Sequence, residues 1–333
     1  MKVVITGGTG FIGRRIALRL LERGALFGPD GKDVAIDELV LFDVAPPQLA
    51  LPEDRRLRVV TGEVSDAKLM RQVIAPGTFS VFHLAAIVSG QAEADTDIGM
   101  RVNLDGTRAV LEACRALKSA PRVVFASSLA VYGGDLPARV SEAVPLTPQT
   151  SYGGQKAIGE LLVNDFSRKG YIDGRALRLP TIIVRPGRPN RAASTFASSI
   201  IREPLSGVDV VCPVAREAVM PAMSPRRVVD AFERAHDLPG IAFGYNRALQ
   251  LPGISPSVGE MVEALRRAGG EEAVARIRWE PDPAIQKIVA GWPVGVDGSR
   301  AERLGIKGDK NMDEIVQAFI EDDLPAQKAM AGG

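Results

Sequence analysis

The chain is poor in the residues that build metal centres, disulfide scaffolds and nucleic-acid interfaces. It has two cysteines, Cys114 and Cys212, far apart and without metal-ligand spacing, and two histidines, His83 and His236, that could join them. A zinc site and a disulfide framework are therefore not expected. Neither sign of charge is in excess: 41 Lys and Arg face 40 Asp and Glu, for a formal net charge of +1. Such a chain offers no global field to a polyanion or an acidic membrane surface, so neither nucleic acid nor membrane is an expected partner. The longest apolar run, around Val81 to Val88, is far shorter than the roughly 18 residues of a membrane span. Met1 and Lys2 lead straight into Val3-Val4-Ile5 without the apolar stretch of a secretory signal, which makes the cytoplasm the expected location.

What is present points to a large α/β unit. With 333 residues, 46% apolar and 24% charged, the chain is not disordered and exceeds what one core usually holds. Strand-like runs at Val3 to Ile5, Leu39 to Phe42, Arg58 to Val60, Val81 to Ala86, Val123 to Ala126 and Ala176 to Leu179 alternate with helical patterns. Two helical patterns stand out, Asn103 to Lys118 and Tyr152 to Arg168. This alternation predicts right-handed crossovers in a doubly wound parallel sheet. After residue 186 it gives way to Pro- and Arg-rich stretches and short helical patterns, read as a smaller C-terminal substrate lobe. A strand at Gly244 to Leu251 is expected to return to the main sheet, so the lobes interleave. The dinucleotide-binding domain spans 1–186 plus a returning segment near 220–251, and the substrate lobe spans 187–219 and 252–333. Residues 25–37 read as a surface insertion.

Gly7, Gly10 and Gly13 form a G-x-x-G-x-x-G turn between the first strand and the first helix. There bare backbone can approach a pyrophosphate at the positive end of the helix, as in a Rossmann fold. The second strand ends at Asp43, whose carboxylate suits ribose hydroxyls and repels a 2'-phosphate. This favours NAD over NADP. Arg14 and Arg15 could hold a 2'-phosphate, but exposed helix charges explain them more simply.

Tyr152 and Lys156 lie four residues apart at the start of a predicted helix, hence on one face. Ser128 follows the fifth strand at the carboxyl edge of the sheet, where doubly wound folds bind ligands. Three side chains can then converge on one hydroxyl: Ser128 bonds the substrate oxygen, Tyr152 takes its proton, and hydride leaves the same carbon for a nicotinamide. A phenol titrates near pH 10, so making it a base at neutrality needs roughly 4 kcal/mol of phenolate stabilisation. Lys156 and the cationic ring of NAD⁺ are the expected sources. His83, inside an apolar strand, reads as a hydrogen-bonded core residue, and Cys114 as a small buried side chain.

Taken together, Thr6 to Gly13, His83-Leu84-Ala85-Ala86, Asn103-x-x-Gly106-Thr107, Ser127-Ser128-x-x-Val131-Tyr132-Gly133 and Tyr152-x-x-x-Lys156 resemble the extended short-chain dehydrogenase/reductases, the NAD-dependent epimerase/dehydratase family. The resemblance implies that Ser128, Tyr152 and Lys156 are catalytic and that Phe11 and Ile12 join the glycines in holding NAD. It places Glu63 and Val64 at the adenine, although an Asp is commoner at the first position. Leu84, Ala85 and Ala86 would line the cofactor groove, Pro180 would lie against the nicotinamide, and Asn103 would hold the local water and backbone network. A homodimer is implied, built on the helices beginning near Asn103 and Tyr152.

Nucleotide-sugar epimerases and dehydratases of this family carry an Asn after the sixth strand; Thr181 stands there instead, which favours a small substrate. The segments His83 to Gly90 and Arg185 to Ser194, with the insertion at 25–37, resemble the members that oxidise the 2-hydroxyl of D-erythronate, a four-carbon sugar acid. Its carboxylate calls for a guanidinium. Arg185 is the first choice and Arg191 the second, with Ser89 and Thr181 also expected at the substrate. The alternatives are a nucleotide-sugar epimerase or dehydratase, or a non-catalytic NAD-responsive regulator, which would have no need of an intact Ser, Tyr and Lys.

Overall fold

Val3, Val4 and Ile5 expose nothing to solvent, because the strand they form is central in a parallel sheet covered on both faces. The computed structural model describes residues 1–187 and 193–331. Its strands are β1 (Lys2–Thr6), β2 (Ala25–Phe27), β3 (Asp33–Ala35), β4 (Glu38–Asp43), β5 (Leu57–Thr61), β6 (Thr78–His83), β7 (Arg122–Ser128), β8 (Asp173–Leu179), β9 (Thr181–Ile182), β10 (Val210–Cys212), β11 (Ala222–Met223), β12 (Ala248–Gln250) and β13 (Ile277–Trp279). The first nine α-helices are α1 (Phe11–Arg23), α2 (Ala67–Val73), α3 (Ser89–Ala94), α4 (Thr96–Gly99), α5 (Gly106–Ala116), α6 (Ser151–Arg168), α7 (Thr195–Leu205), α8 (Pro225–Asp237) and α9 (Val258–Ala275).

Seven strands make one sheet in the order β12-β8-β7-β6-β1-β4-β5, every neighbouring pair parallel. The order reverses at β1, and a crevice opens at the carboxyl ends of the strands beside such a reversal. Strand alternation divides the core: Val3 and Ile5 pack with α1 and α8, Val4 with α2, α5 and α6. A separate cluster forms around α7 and α9, joined by the parallel pairs β10 with β13 and β9 with β11. The chain returns from it to the main core through α8 and β12, and Ala301 and Ile306 also pack there.

Four local expectations are corrected. The fourth strand stops at His83 and does not reach Ala86: after Leu84 N–H bonds the Thr6 carbonyl, the backbone turns into the crevice. The segment at 25–37 is not a bare loop but an antiparallel hairpin of β2 and β3. Buried Leu26 anchors it, and Arg122 donates to the carbonyls of Phe27 and Gly28. The helix expected from Asn103 begins three residues earlier, as a π-helix over Met100–Asp105 that leads into α5. The returning strand is short, Ala248–Gln250 rather than Gly244 to Leu251.

Both histidines are structural. His83 lies between the hydroxyls of Thr6 (2.6 Å) and Thr107 (2.9 Å). Thr107 donates to the Asn103 carbonyl, so it accepts from His83 Nε2–H, and Nδ1 accepts from Thr6. Ser80, His236 and Asp237 form a hydrolase-like chain with spacings of 2.6 and 3.0 Å. Ser80 and His236 are buried, so this chain is closed to substrate.

Burial, with the Lys156 charge, pushes His83 down to about 3, and burial pushes His236 down to about 4. The unfolded value is about 6.5. Between these limits the unfolded chain binds more protons, so the stabilising contribution is complete above pH about 6.5, falls progressively below it and is gone once pH has passed the folded values. The urea midpoint is expected to drop from pH 7 to pH 5. A level midpoint over that range would contradict two neutral buried imidazoles.

Candidate active site

The turn after β1 is built of backbone contacts that leave no room for side chains. Gly7 has φ +69°, and a Cβ there would lie 2.8 Å from the Ala85 nitrogen. A Cβ on Gly13 would lie 2.1 Å from the Gly7 carbonyl oxygen. Gly10 precedes α1 and offers no side-chain cap, so the positive helix end is presented by backbone alone. Asp43, at the end of β4, accepts from the Thr9 N–H at 3.1 Å and the Val44 N–H at 2.8 Å. This holds its carboxylate in the same crevice.

A groove of about 660 Å³ runs along these residues, lined by Gly7, Gly10, Phe11, Ile12, Gly13, Asp43, Glu63, Val64, Leu84, Ala85 and Ala86. These eleven of the residues expected at a cofactor line one channel. The glycine cradle, the helix end and the Asp43 carboxylate fit an adenine dinucleotide without a 2'-phosphate. Arg14 donates to the Ala50 carbonyl and Arg15 bonds Asp323, so both arginines already have partners. Asn103 does not line the groove. Buried, it grips both backbone polar groups of Ile87 and donates to Gln155 at 2.8 Å, acting on the groove wall through Ile87.

The groove joins a smaller cleft of about 300 Å³ lined by Ser89, Ser128, Tyr152, Lys156, Pro180, Thr181 and Arg185. Thr150 caps α6 by accepting from the Gly153 N–H at 3.1 Å, which sets Tyr152 in the first turn and Lys156 one turn later on the same face. Lys156 Nζ donates to the Ala126 carbonyl at 2.8 Å and lies 4.7 Å from the Phe125 ring and 5.6 Å from the Tyr152 ring. Burial pushes the Tyr152 phenol up to about 12, opposed by a hydrogen bond from Ser128 and by the Arg185 charge. Burial pushes Lys156 down to about 7, opposed by Glu160. Arg185 thus adds a second protein cation near the phenol to the Lys156 ammonium that the sequence pointed to.

Arg185 lines both groove and cleft, and its Nη2 donates to Ser194 at 3.3 Å. Arg191 lies outside the described residues. Sequence reasoning missed Gln91, Arg101 and Arg202 in the groove and Ile288 and Trp292 in the cleft. Only Trp292, one of two tryptophans, carried any signal, since a rare large aromatic late in a polar lobe invites a role. Among the described residues no cluster of His, Cys, Asp and Glu is placed to hold a metal, and no helix is long and apolar enough to cross a membrane.

The NAD dependent epimerase/dehydratase family model matches residues 3–239. The chain belongs to that family. It is 53% identical to a D-erythronate dehydrogenase of Cupriavidus necator, over 97% of this chain and 98% of the relative. It is 44% identical to a D-erythronate dehydrogenase of Haemophilus influenzae, over 97% and 100%. A crystal structure described as a nucleoside-diphosphate-sugar epimerase from Agrobacterium tumefaciens is 41% identical, with a TM-score of 0.91 over 98% of this chain and 96% of that one.

Two adjacent glycines give a sharp test of how α6 is seated. A Cβ on Gly153 would lie 2.0 Å from the Ala130 carbonyl oxygen, whereas nothing lies within 4 Å of one on Gly154. Gly154→Ala is expected to stabilise the protein by about 0.5–1 kcal/mol through helix propensity. Gly153→Ala is expected to destabilise it by about 2 kcal/mol or more. Equal unfolding midpoints for the two variants would refute this seating.

Proposed function

We propose that this oxidoreductase uses NAD⁺ to oxidise the 2-hydroxyl of a small sugar acid, D-erythronate, giving 2-dehydro-D-erythronate. The observation that carries the reading is the meeting of Ser128, Tyr152, Lys156 and Arg185 in one small cleft that opens into the groove. Two relatives with that activity in their names, matched over nearly their whole length, support it. The cleft volume lies at the low end for ligand pockets, suiting a four-carbon acid better than a nucleotide-sugar.

Gly7, Gly10, Phe11, Ile12 and Gly13 would hold the pyrophosphate, Asp43 the adenosine ribose, and Glu63 with Val64 the adenine. Leu84 to Ala86 and Pro180 would flank the rest of the cofactor. NAD⁺, when bound, supplies the hydride acceptor and a positive ring beside the phenol. Ser128 donates to the substrate oxygen, and Tyr152 takes the hydroxyl proton as that oxygen becomes a carbonyl. The phenol, held above its ordinary range by burial, must be brought down by positive charge, which Arg185 and Lys156 provide from the protein side. Arg185 also binds the substrate carboxylate, with Ser89 and Thr181 placing the chain of hydroxyls.

The chain would work in the cytoplasm, where free thiols such as Cys114 and Cys212 persist. A homodimer would form on α5 and α6, where Ile158 and Leu161 are exposed apolar side chains.

An NADH-formation screen over four- to six-carbon aldonates and uronates, with UDP- and dTDP-sugars alongside, tests the assignment. Turnover is expected with D-erythronate. Tyr152→Phe is expected to lower it at least 1,000-fold while NADH affinity stays within about threefold, and Arg185→Met to raise KM for the acid at least tenfold. Activity with nucleotide-sugars alone would overturn the substrate, and near-normal turnover by Tyr152→Phe would overturn the base.

A further inference from the structure

Behind the cleft lies a buried ion cluster that the mechanism above leaves without a task. Glu160 stands one helical turn beyond Lys156 on α6, and the two share a face. Its carboxylate accepts from Ser127 Oγ at 2.5 Å and, in a fork, from Arg178 Nε at 2.9 Å and Nη2 at 2.7 Å. Arg178 Nη1 donates to the Tyr132 hydroxyl at 2.5 Å, which donates to the Ser141 carbonyl at 2.9 Å. The side chains of Glu160 and Arg178 are each only 4% exposed.

The last three residues of β7 each hold a different member of α6. Ala126 accepts from Lys156, Ser127 donates to Glu160, and Ser128 bonds Tyr152. Glu160 is thus the middle rung of the ladder that sets the base and the ammonium against the serine. A buried ion pair is a poor device for stability alone, because a well-packed apolar pair serves as well or better. Its charge therefore calls for another use.

The groups around Lys156 show what that use is. Its own helix contributes Tyr152 and Glu160, β7 contributes the Phe125 ring and the Ala126 carbonyl, and β6 contributes His83, neutral between two threonines. Among these groups Glu160 alone carries a negative charge. We propose that Glu160 is a positioning residue that keeps the Lys156 ammonium charged and in register with Ser128 and Tyr152. This rests on the catalytic reading given above. Burial drives the Lys156 value down to about 7, and the Glu160 charge is what opposes it, so removing that charge makes the ammonium lose its proton at still lower pH.

Glu160→Gln keeps the shape and removes the charge. At pH 7.5 it is expected to lower kcat on the order of tenfold, with KM for the acid and NADH affinity within about threefold. The deficit should shrink progressively as pH is lowered below about 7 and vanish below the variant's own lower Lys156 value, where both proteins carry the ammonium. The 13Cε resonance of Lys156, assigned with Lys156→Arg, should titrate at lower pH in Glu160→Gln. Glu160→Gln with Arg178→Met, which leaves no unpaired buried guanidinium, should recover thermal stability without recovering turnover. A deficit equal at every pH, an unmoved Lys156 titration, or full rescue of turnover by the double variant would each overturn the proposal. The Lys156 titration reports on Glu160 alone and Tyr152→Phe on the catalytic reading alone, so failure of one is separable from failure of the other.

Discussion

One face of α6 is fastened to the end of β7, and the site is laid out from that contact. Strand residues alternate in direction, so Ser127 turns to the buried Glu160 while Ser128 turns to the cleft. Gly153 lets the helix approach the Ala130 carbonyl closely enough for both to be reached at once. The sheet order then brings the same strand edge beside β6, whose exit at Leu84 to Ala86 forms the shared wall of groove and cleft. A shift of one residue between α6 and β7 would separate the phenol from Ser128, whatever else in the fold survived.

Desolvation works on both members of the Tyr152–Lys156 pair in the direction that neutralises them, raising the phenol and lowering the ammonium. Left to burial alone, the pair would be uncharged and unable to take a proton from an alcohol at neutrality. The charges that oppose this come from different elements: Arg185 reaches the phenol from the segment after β9, and Glu160 reaches the ammonium from one turn further along α6. On the proposed mechanism, reactivity in this cleft would therefore depend on two groups outside the Ser-Tyr-Lys motif.

Much of the frame was legible in the sequence because its signals are local. A strand, a glycine turn and a helix are contiguous, so Gly7 to Gly13 identify themselves, and Asp43 follows from the end of the next strand. Tyr152 and Lys156 share a helix. What escaped depends on residues distant in the chain. Arg101 and Gln91 come from the segment after β6, Arg202 from α7, and Ile288 and Trp292 from beyond residue 280, and tertiary packing alone brings them to the site. The strand predicted through Ala86 failed for a related reason: an apolar run reports burial, and Leu84 to Ala86 are partly buried in the groove wall instead of in the sheet. Asn103 was legible as a residue that holds local backbone, but which backbone, that of Ile87, came only with the structure. Lys156 was legible as a cation beside the phenol, whereas the second cation, Arg185, lies 33 residues beyond Tyr152 in the chain and is brought there by packing.

The same arginine argues for an acid as substrate over a neutral sugar. Burial lowers the Arg185 value, and the neighbouring Arg202 charge lowers it further. Arg202 donates to the Arg185 carbonyl and to Glu203, while the Arg185 guanidinium meets the Ser194 hydroxyl. Two cations thus line the groove where it meets the cleft, and among the described residues the carboxylate of Glu203 pairs with Arg202. A desolvated guanidinium beside a second one is costly until an anion joins it. A carboxylate delivered with the substrate would relieve that repulsion and fix the acid end of the molecule, leaving the adjacent hydroxyl to face Ser128 and Tyr152. It would also offset part of the positive charge that lowers the phenol. On this view, placing the reacting carbon competes with activating the base, and the cationic ring of the cofactor must supply the difference.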